Sequence, residues 1–491
     1  VRENSFGTIY KIITKKCDFK KYLCVKIERM TLIKSISGIR GTIGGVPGNN
    51  LTPIDAVRYA AAYGSWIKQQ RDKESYRVVV GRDARISGEM VQQLVMNTLV
   101  GLGINVIDLG LSTTPTVEVA VALEHADGGI ILTASHNPKE WNALKLLNSK
   151  GEFLNAKAGQ EILDIAEKGE TTFADVDSLG AITVNDAYID MHIDEILDLP
   201  LVNVEAIKKA KLKVVVDAVN STGGIAIPLL LDALDVHCTK LYCTPNGEFP
   251  HNPEPLKEHL GDLMELVVEE QADFGIVVDP DVDRLAFVDE KGEMFGEEYT
   301  LVAVADYVLA HTPGNTVSNM SSSRALRDVT EKHGGSYTAS AVGEVNVVQQ
   351  MKDTNAVIGG EGNGGIIYPE LHYGRDSLVG IALFLSFLAE QNKTVSEIRA
   401  QYPAYFMSKK KITLTPQLDV DLLLKTMAER YASEEIQTID GVKIDFPENW
   451  VHLRKSNTEP IIRIYTEARS QQEADELANR FIAEIKEIAG I

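Results

Sequence analysis

The densest acidic cluster in the chain is Asp279-Pro280-Asp281-Val282-Asp283-Arg284. In an extended segment alternate residues project the same way, so Asp279, Asp281 and Asp283 can converge on one hard cation. Three carboxylates with no His or Cys beside them suit Mg²⁺ or a similar oxygen-loving ion. The glycine that a calcium-binding loop needs at its sixth position is replaced by Arg284, so that motif does not fit. A second cluster is Thr133-Ala134-Ser135-His136-Asn137-Pro138, which directly follows the apolar run GGIIL. A nucleophilic serine needs a base or a metal. Side chains adjacent in sequence diverge, which argues against a Ser135–His136 dyad, and the hydrolase G-x-S-x-G elbow is absent. Ser135 reads better as a hydroxyl that carries a phosphoryl group beside the cation, with His136 kept among the catalytic candidates. Lys145, ten residues on, is placed to neutralise such a group or to shuttle a proton.

Two further segments are shaped for a phosphorylated sugar. Gly359-Gly360-Glu361-Gly362-Asn363-Gly364-Gly365 matches neither the Walker nor the dinucleotide fingerprint. Its Glu361 would repel phosphate and accept hydrogen bonds from sugar hydroxyls, so it reads as a polyol-binding loop. Arg454-Lys455-Ser456-Asn457-Thr458-Glu459-Pro460 sets a guanidinium among hydroxyls and amides in one turn, a nest for an anion. Arg463 on the next strand could support it. Arg40, in Ser37-Gly38-Ile39-Arg40-Gly41, is a weaker signal, because Gly-flanked arginines are common in turns.

The elements that must hold these loops are legible in the apolar pattern. Runs such as YRVVVG (76–81), INVIDLG (104–110), GGIILTAS (128–135), KVVVDAV (213–219), FGIVVD (274–279) and NAVIGG (355–360) are Val/Ile-rich and bounded by Gly, Asp or Asn. They read as strands buried on both faces, and the segments between them, such as Ser87–Leu102 and Asn185–Leu197, are long enough for crossover helices. Three of the strands feed a Gly-rich or polar loop at their carboxyl ends, where open α/β sheets bind ligands. The expected fold is three similar mixed α/β domains with largely parallel sheets around a central cleft, plus a smaller C-terminal α+β domain. The divisions fall at 30–182, 183–295, 296–400 and 401–491. Ser470 and Glu473 sit at capping-box spacing ahead of a final amphipathic helix.

Composition narrows the function. The 491 residues are 44% apolar and 24% charged, enough for each domain to bury a core of its own. Lys+Arg number 49 against Asp+Glu 70, a formal net charge of −21, which argues against nucleic acid as a partner. Any phosphorylated ligand must sit in a local basic pocket. No apolar run reaches the ~18 residues of a membrane helix, so no membrane partner is expected. No signal peptide is visible, which makes the cytoplasm the expected location. Cys17, Cys24, Cys238 and Cys243 are too few for a disulfide scaffold and read as inert thiols. Residues 1–29 stand apart, with eight Lys/Arg and three Asp/Glu. They read as a basic extension outside the fold.

Taken in order, SGIRG (37–41), TASHNPKEWNALK (133–145), DPDVDR (279–284), GEGNG (360–364) and RKSNTEP (454–460) resemble the motifs of the α-D-phosphohexomutase family, over about residues 31–491. The resemblance implies four domains around one deep cleft, Ser135 as the phosphoserine, and Mg²⁺ held by Asp279, Asp281, Asp283 and the phosphoserine. It implies sugar hydroxyls on Glu361 and Asn363, and the distal phosphate on Arg454, Ser456, Asn457 and Thr458. It also places Arg40, Lys145 and Arg284 around the transferring phosphoryl group. The implied reaction interconverts hexose 6-phosphate and hexose 1-phosphate through a hexose 1,6-bisphosphate. Many bacterial members have Ser and His where this chain has Asn363 and Gly365. The sugar loop, VGEVNV (342–347) and Glu459-Pro460 look more like archaeal-type phosphoglucosamine mutases, which favours glucosamine phosphate over glucose or mannose phosphates. His372 is a candidate to supply the imidazole that Gly365 lacks.

Overall fold

The computed structural model describes residues 30–35, 38–413, 419–455 and 461–490. The basic extension 1–29 and the nest residues Ser456, Asn457 and Thr458 lie outside them.

The first sheet has seven strands, in the order Ile33–Ser35, Gly38–Thr42, Trp141–Leu147, Gly128–Leu132, Tyr76–Arg82, Ile104–Leu111, Ile182–Val184. Its last four strands run parallel, and the first three add antiparallel edges. The continuous apolar runs follow from burial on both faces. Val78, Val80, Ile130 and Leu132 pack against the helices Pro53–Gln70 and Gly88–Gly101. Val79 and Ile131 project the other way, onto Val117, Ala120 and Val121 of the helix Thr114–Leu123. Thr113 caps that last helix by accepting from the Thr116 N–H at 3.1 Å.

The second sheet orders Leu285–Asp289, Phe274–Val278, Lys213–Asp217 and His237–Leu241, and the third Tyr337–Ser340, Asn315–Asn319, Ala356–Glu361 and Gly365–Ile367. Each is parallel except for one antiparallel edge strand. One face of each of these two sheets joins a shared core, while the other face keeps a smaller cluster of its own. The helix Ser377–Gln391 is apolar nearly all round, and Phe384 stacks on Phe287 of the second sheet at 4.1 Å between ring centroids. A helix hydrophobic on every side has to be covered on every side, and here the helices Val204–Ala210 and Glu297–His311 share the task with one edge strand from each sheet. The C-terminal sheet is antiparallel, in the order Phe406–Thr413, Ile461–Ala468, Trp450–Lys455, Val442–Asp445, Glu435–Gln437. The final helix, Gln471–Ala489, packs its apolar face on it, with Ser470 Oγ accepting from the Glu473 N–H at 3.2 Å. Among the described residues no helix is long and apolar enough to cross a membrane.

Candidate active site

The loop after the strand Gly128–Leu132 is fixed from below. Ser135 has φ +50, a conformation uncommon for a residue with a side chain. The Thr133 hydroxyl accepts the Ser135 N–H at 2.9 Å and donates to Asp83 at 2.7 Å. Arg85, fully buried, pairs with Asp83 at 2.9 Å and donates to the carbonyls of Asn137 (2.7 Å), Pro138 (2.7 Å), Trp141 (3.0 Å) and Ser135. Sequence reasoning missed Arg85. The signal was an Arg-Asp-Ala-Arg stretch directly after a buried strand, where solvated charges are out of place.

The Ser135 hydroxyl donates to Asp279 Oδ2 at 2.7 Å. Asp279, Asp281 and Asp283 are fully buried, and one carboxylate oxygen from each lies within 4.8 Å of the others. Lys145 Nζ reaches Asp281 at 2.6 Å and Asp283 at 3.3 Å, and Thr114 donates to Asp281 at 2.6 Å. Asp281 Oδ1 and Asp283 Oδ1 are buried without a hydrogen-bond partner. Oxygen donors crowded this closely, two of them unsatisfied, fit a hard cation. Burial, reinforced by Asp281 and Asp283, pushes the Asp279 carboxyl well above its usual range. Burial would lower Lys145, but Asp281 and Asp283 prevail and hold it charged. Neutralising charge, one of the two tasks expected of Lys145, suits these surroundings.

A cleft of ≈1080 Å³ opens over this floor, and its walls carry Arg40, Ser135, His136, Lys145 and Arg284 together with Glu361, Asn363, Arg454 and Arg463. Arg40 donates to Asn137 Oδ1 at 2.9 Å, and Arg284 pairs with Glu254 at 3.2 Å. His136 Nδ1 lies 3.3 Å from Ser135 Oγ, so the two side chains do not diverge as expected. The left-handed turn at Ser135 brings them to the same side. Burial, then the nearby Arg284 and Arg40, push His136 down to about 3, which keeps it neutral.

Glu361 accepts from Asn319 at 2.9 Å, from the Gly343 N–H at 3.2 Å and from Arg375 at 3.0 Å. Asn363 turns its Oδ1 back onto the Gly365 N–H at 3.2 Å. His372 supplies no imidazole to the cleft, contrary to expectation. It lies behind it, 3.3 Å from both Asp376 and Glu118, and Asp376 also bonds His192 at 3.0 Å. His192 is in turn 3.0 Å from Thr116, so this buried chain ties the first three units together. Arg454 pairs with Asp440 at 2.8 Å and sits opposite Arg463 on the neighbouring strand, with both side chains lining the cleft.

Four family models match the chain in sequence. They are described as phosphoglucomutase/phosphomannomutase α/β/α domains I (residues 32–173), II (187–292) and III (296–405) and the C-terminal domain (409–484). A phosphoglucomutase/phosphomannomutase of Thermococcus kodakarensis is 36% identical over 442 residues, 89% of this chain and 96% of that protein. A phosphoglucosamine/phosphogalactosamine mutase of Sulfurisphaera tokodaii is 32% identical over 461 residues, 91% of this chain and 98% of that protein. A crystal structure of a phosphoglucomutase/phosphomannomutase family protein from Burkholderia thailandensis superposes with a TM-score of 0.80 at 25% identity, covering 94% of this chain and 97% of that one. Four matched domains in order, around a cleft that joins a serine on an aspartate triad to a pair of arginines, place this chain in the phosphoglucomutase/phosphomannomutase family, whose enzymes are phosphohexomutases.

Proposed function

We propose that the enzyme interconverts glucosamine 6-phosphate and glucosamine 1-phosphate through phospho-Ser135 and a 1,6-bisphosphate. The observation that carries this reading is that both arginine-lined ends belong to one cleft. A phosphatase needs one phosphate subsite, whereas a mutase must hold two. In the first half-reaction the P–Oγ bond of phospho-Ser135 breaks while a P–O bond to the free sugar hydroxyl forms. The hydroxyl proton ends on Ser135 Oγ, where Asp279 is 2.7 Å away to share it. The bisphosphate turns end for end, the steps run in reverse with its other phosphate, and Ser135 is rephosphorylated.

In this reading Arg40, Lys145 and Arg284 balance the charge on the transferring group. Asp279, Asp281 and Asp283 would hold Mg²⁺, which supplies further neutralisation of the equatorial oxygens. Glu361 and Asn363 bind sugar hydroxyls, and Arg454 and Arg463 take the phosphate that is not in transit. Glucosamine is supported by the name of the Sulfurisphaera relative. Glucose and mannose phosphates are the second reading, favoured by the Thermococcus relative.

Product analysis with the 6-phosphates of glucosamine, glucose and mannose tests the proposal. The 1-phosphate isomer should form, with kcat/KM for glucosamine higher by about tenfold or more. Release of inorganic phosphate without isomer would make the chain a phosphatase instead.

Arg454→Lys should keep the charge but lose the planar fork that grips a phosphate at two points. A charged hydrogen bond contributes roughly 1.5–3 kcal/mol, so hexose-phosphate affinity should fall about 10- to 150-fold. Phosphorylation of Ser135, read by mass, should survive. A titration showing unchanged affinity would remove Arg454 from the phosphate site.

A further inference from the structure

We propose that Arg375 is a positioning residue that couples cation binding at the aspartate loop to sugar-hydroxyl binding at Glu361, an inference that rests on the phosphohexomutase reading above. Its guanidinium is buried and spends each nitrogen on a different carboxylate. Nη2 donates to Asp283 at 2.7 Å, Nη1 to Glu361 at 3.0 Å and Nε to Glu344 at 2.9 Å. The Arg375 backbone N–H adds a bond to Glu344 at 3.1 Å. A rigid planar fork cannot move towards one partner without loosening another.

The two loops it joins also touch through their backbones. The Leu285 N–H donates to the Gly364 carbonyl at 3.2 Å, and next to Arg375 the Ser377 N–H, at the start of the helix Ser377–Gln391, donates to the Val282 carbonyl of the aspartate loop at 3.2 Å. The Arg375 side chain runs across Gly365, where an added Cβ would meet its Cδ at 2.3 Å. The absent side chain at 365 is therefore the space the guanidinium needs to reach the aspartate loop. A cation drawing on Asp283 relaxes the hold of that carboxylate on Arg375. The fork then fixes Glu361 more firmly in the geometry that accepts hydroxyls. Coupling between sites is reciprocal, so a bound sugar must strengthen cation binding by the same factor.

The test is a calorimetric titration of glucosamine 6-phosphate into unphosphorylated enzyme, with saturating Mg²⁺ and after EDTA. In wild type the ratio of the two affinities should be about 5- to 150-fold. In Arg375→Lys, which retains charge but cannot bridge three carboxylates, the ratio should fall at least fivefold. Glu344→Gln, which weakens the Glu344 arm at both Nε and the backbone N–H while leaving the other two carboxylates, should give an intermediate ratio and serves if the lysine variant does not fold. A merely structural role would weaken both affinities together and leave the ratio alone, and that result overturns the proposal. Equal wild-type affinities with and without Mg²⁺ also overturn it. Wild type that binds no hexose phosphate in either state overturns the functional reading itself.

Discussion

Ser135→Ala abolishes isomerisation and leaves the fold intact: that is the expected result. The residue's backbone is held by partners that alanine keeps, the Thr133 hydroxyl on its N–H and Arg85 on its carbonyl. Alanine also has the same Cβ, so the cost of φ +50 does not change. What disappears is the Oγ that accepts and returns the phosphoryl group in the proposed mechanism, together with its 2.7 Å bond to Asp279. Losing the atom that carries the covalent intermediate should lower turnover by about 10⁴-fold or more. In wild type the peptide containing Ser135 should show the mass increment of one phosphate, and the variant should show none. An alanine variant that turns over near the normal rate would end the phosphoserine mechanism.

The second large effect concerns stability. Asp376→Ala should lower the thermal midpoint on the order of 5 °C, because it unties a buried junction. The carboxylate caps the helix Ser377–Gln391, accepting from the Leu378 N–H at 2.8 Å, and also bonds His192 at 3.0 Å and His372 at 3.3 Å. Burial opposes its charge, but His192 and His372 hold it well below the usual carboxylate range. Burial likewise opposes the charge of His372, yet Asp376 and Glu118 push it up to about 10. A depressed carboxylate stabilises above its unfolded pKa, and a raised imidazole stabilises below its own folded value. At neutral pH both contributions are therefore present. Removing one partner of such a cluster costs about 3–5 kcal/mol. The control is Glu429→Ala, which breaks only the solvent-exposed helical pair with Lys425 and should leave the midpoint unchanged. Equal midpoints for the two variants, measured by scanning calorimetry, would show that the junction contributes nothing.

These two residues mark what the sequence did and did not disclose. Ser135, the aspartates and the Gly-rich loop were legible because each group of reacting atoms is contiguous in the chain and follows a strand whose apolar run is itself conspicuous. Arg375 was not, because its partners are Asp283, Glu344 and Glu361, brought from two other loops and a helix start. A lone arginine in Tyr-Gly-Arg-Asp looks like any turn. Glu118 and His192 were hidden for the same reason: a titratable residue on a helix reads as surface until a distant partner covers it. The shared core of the second and third sheets was also beyond reach. The pattern of Ser377–Gln391 shows that the helix is covered all round but not by what.

That shared core also sorts the four units by how they are joined. The aspartate loop and the sugar loop grow from sheets that grip the same helix, and the Asp376 junction pins the first sheet to them. The C-terminal sheet keeps a hydrophobic cluster of its own. Its attachment to the third unit includes polar bonds, among them Arg324 to the carbonyls of Phe446, Pro447 and Asn449 at 3.0–3.1 Å and Ser321 to His452 at 2.9 Å. This buried polar attachment contrasts with the continuous apolar core that the second and third units share. Three units are thus locked through shared packing and a buried junction, and the fourth is joined to them through contacts of a different, more polar kind. In the proposed reaction, bond-making stays with the three interlocked units, and the arginines proposed for the far phosphate are carried by the fourth.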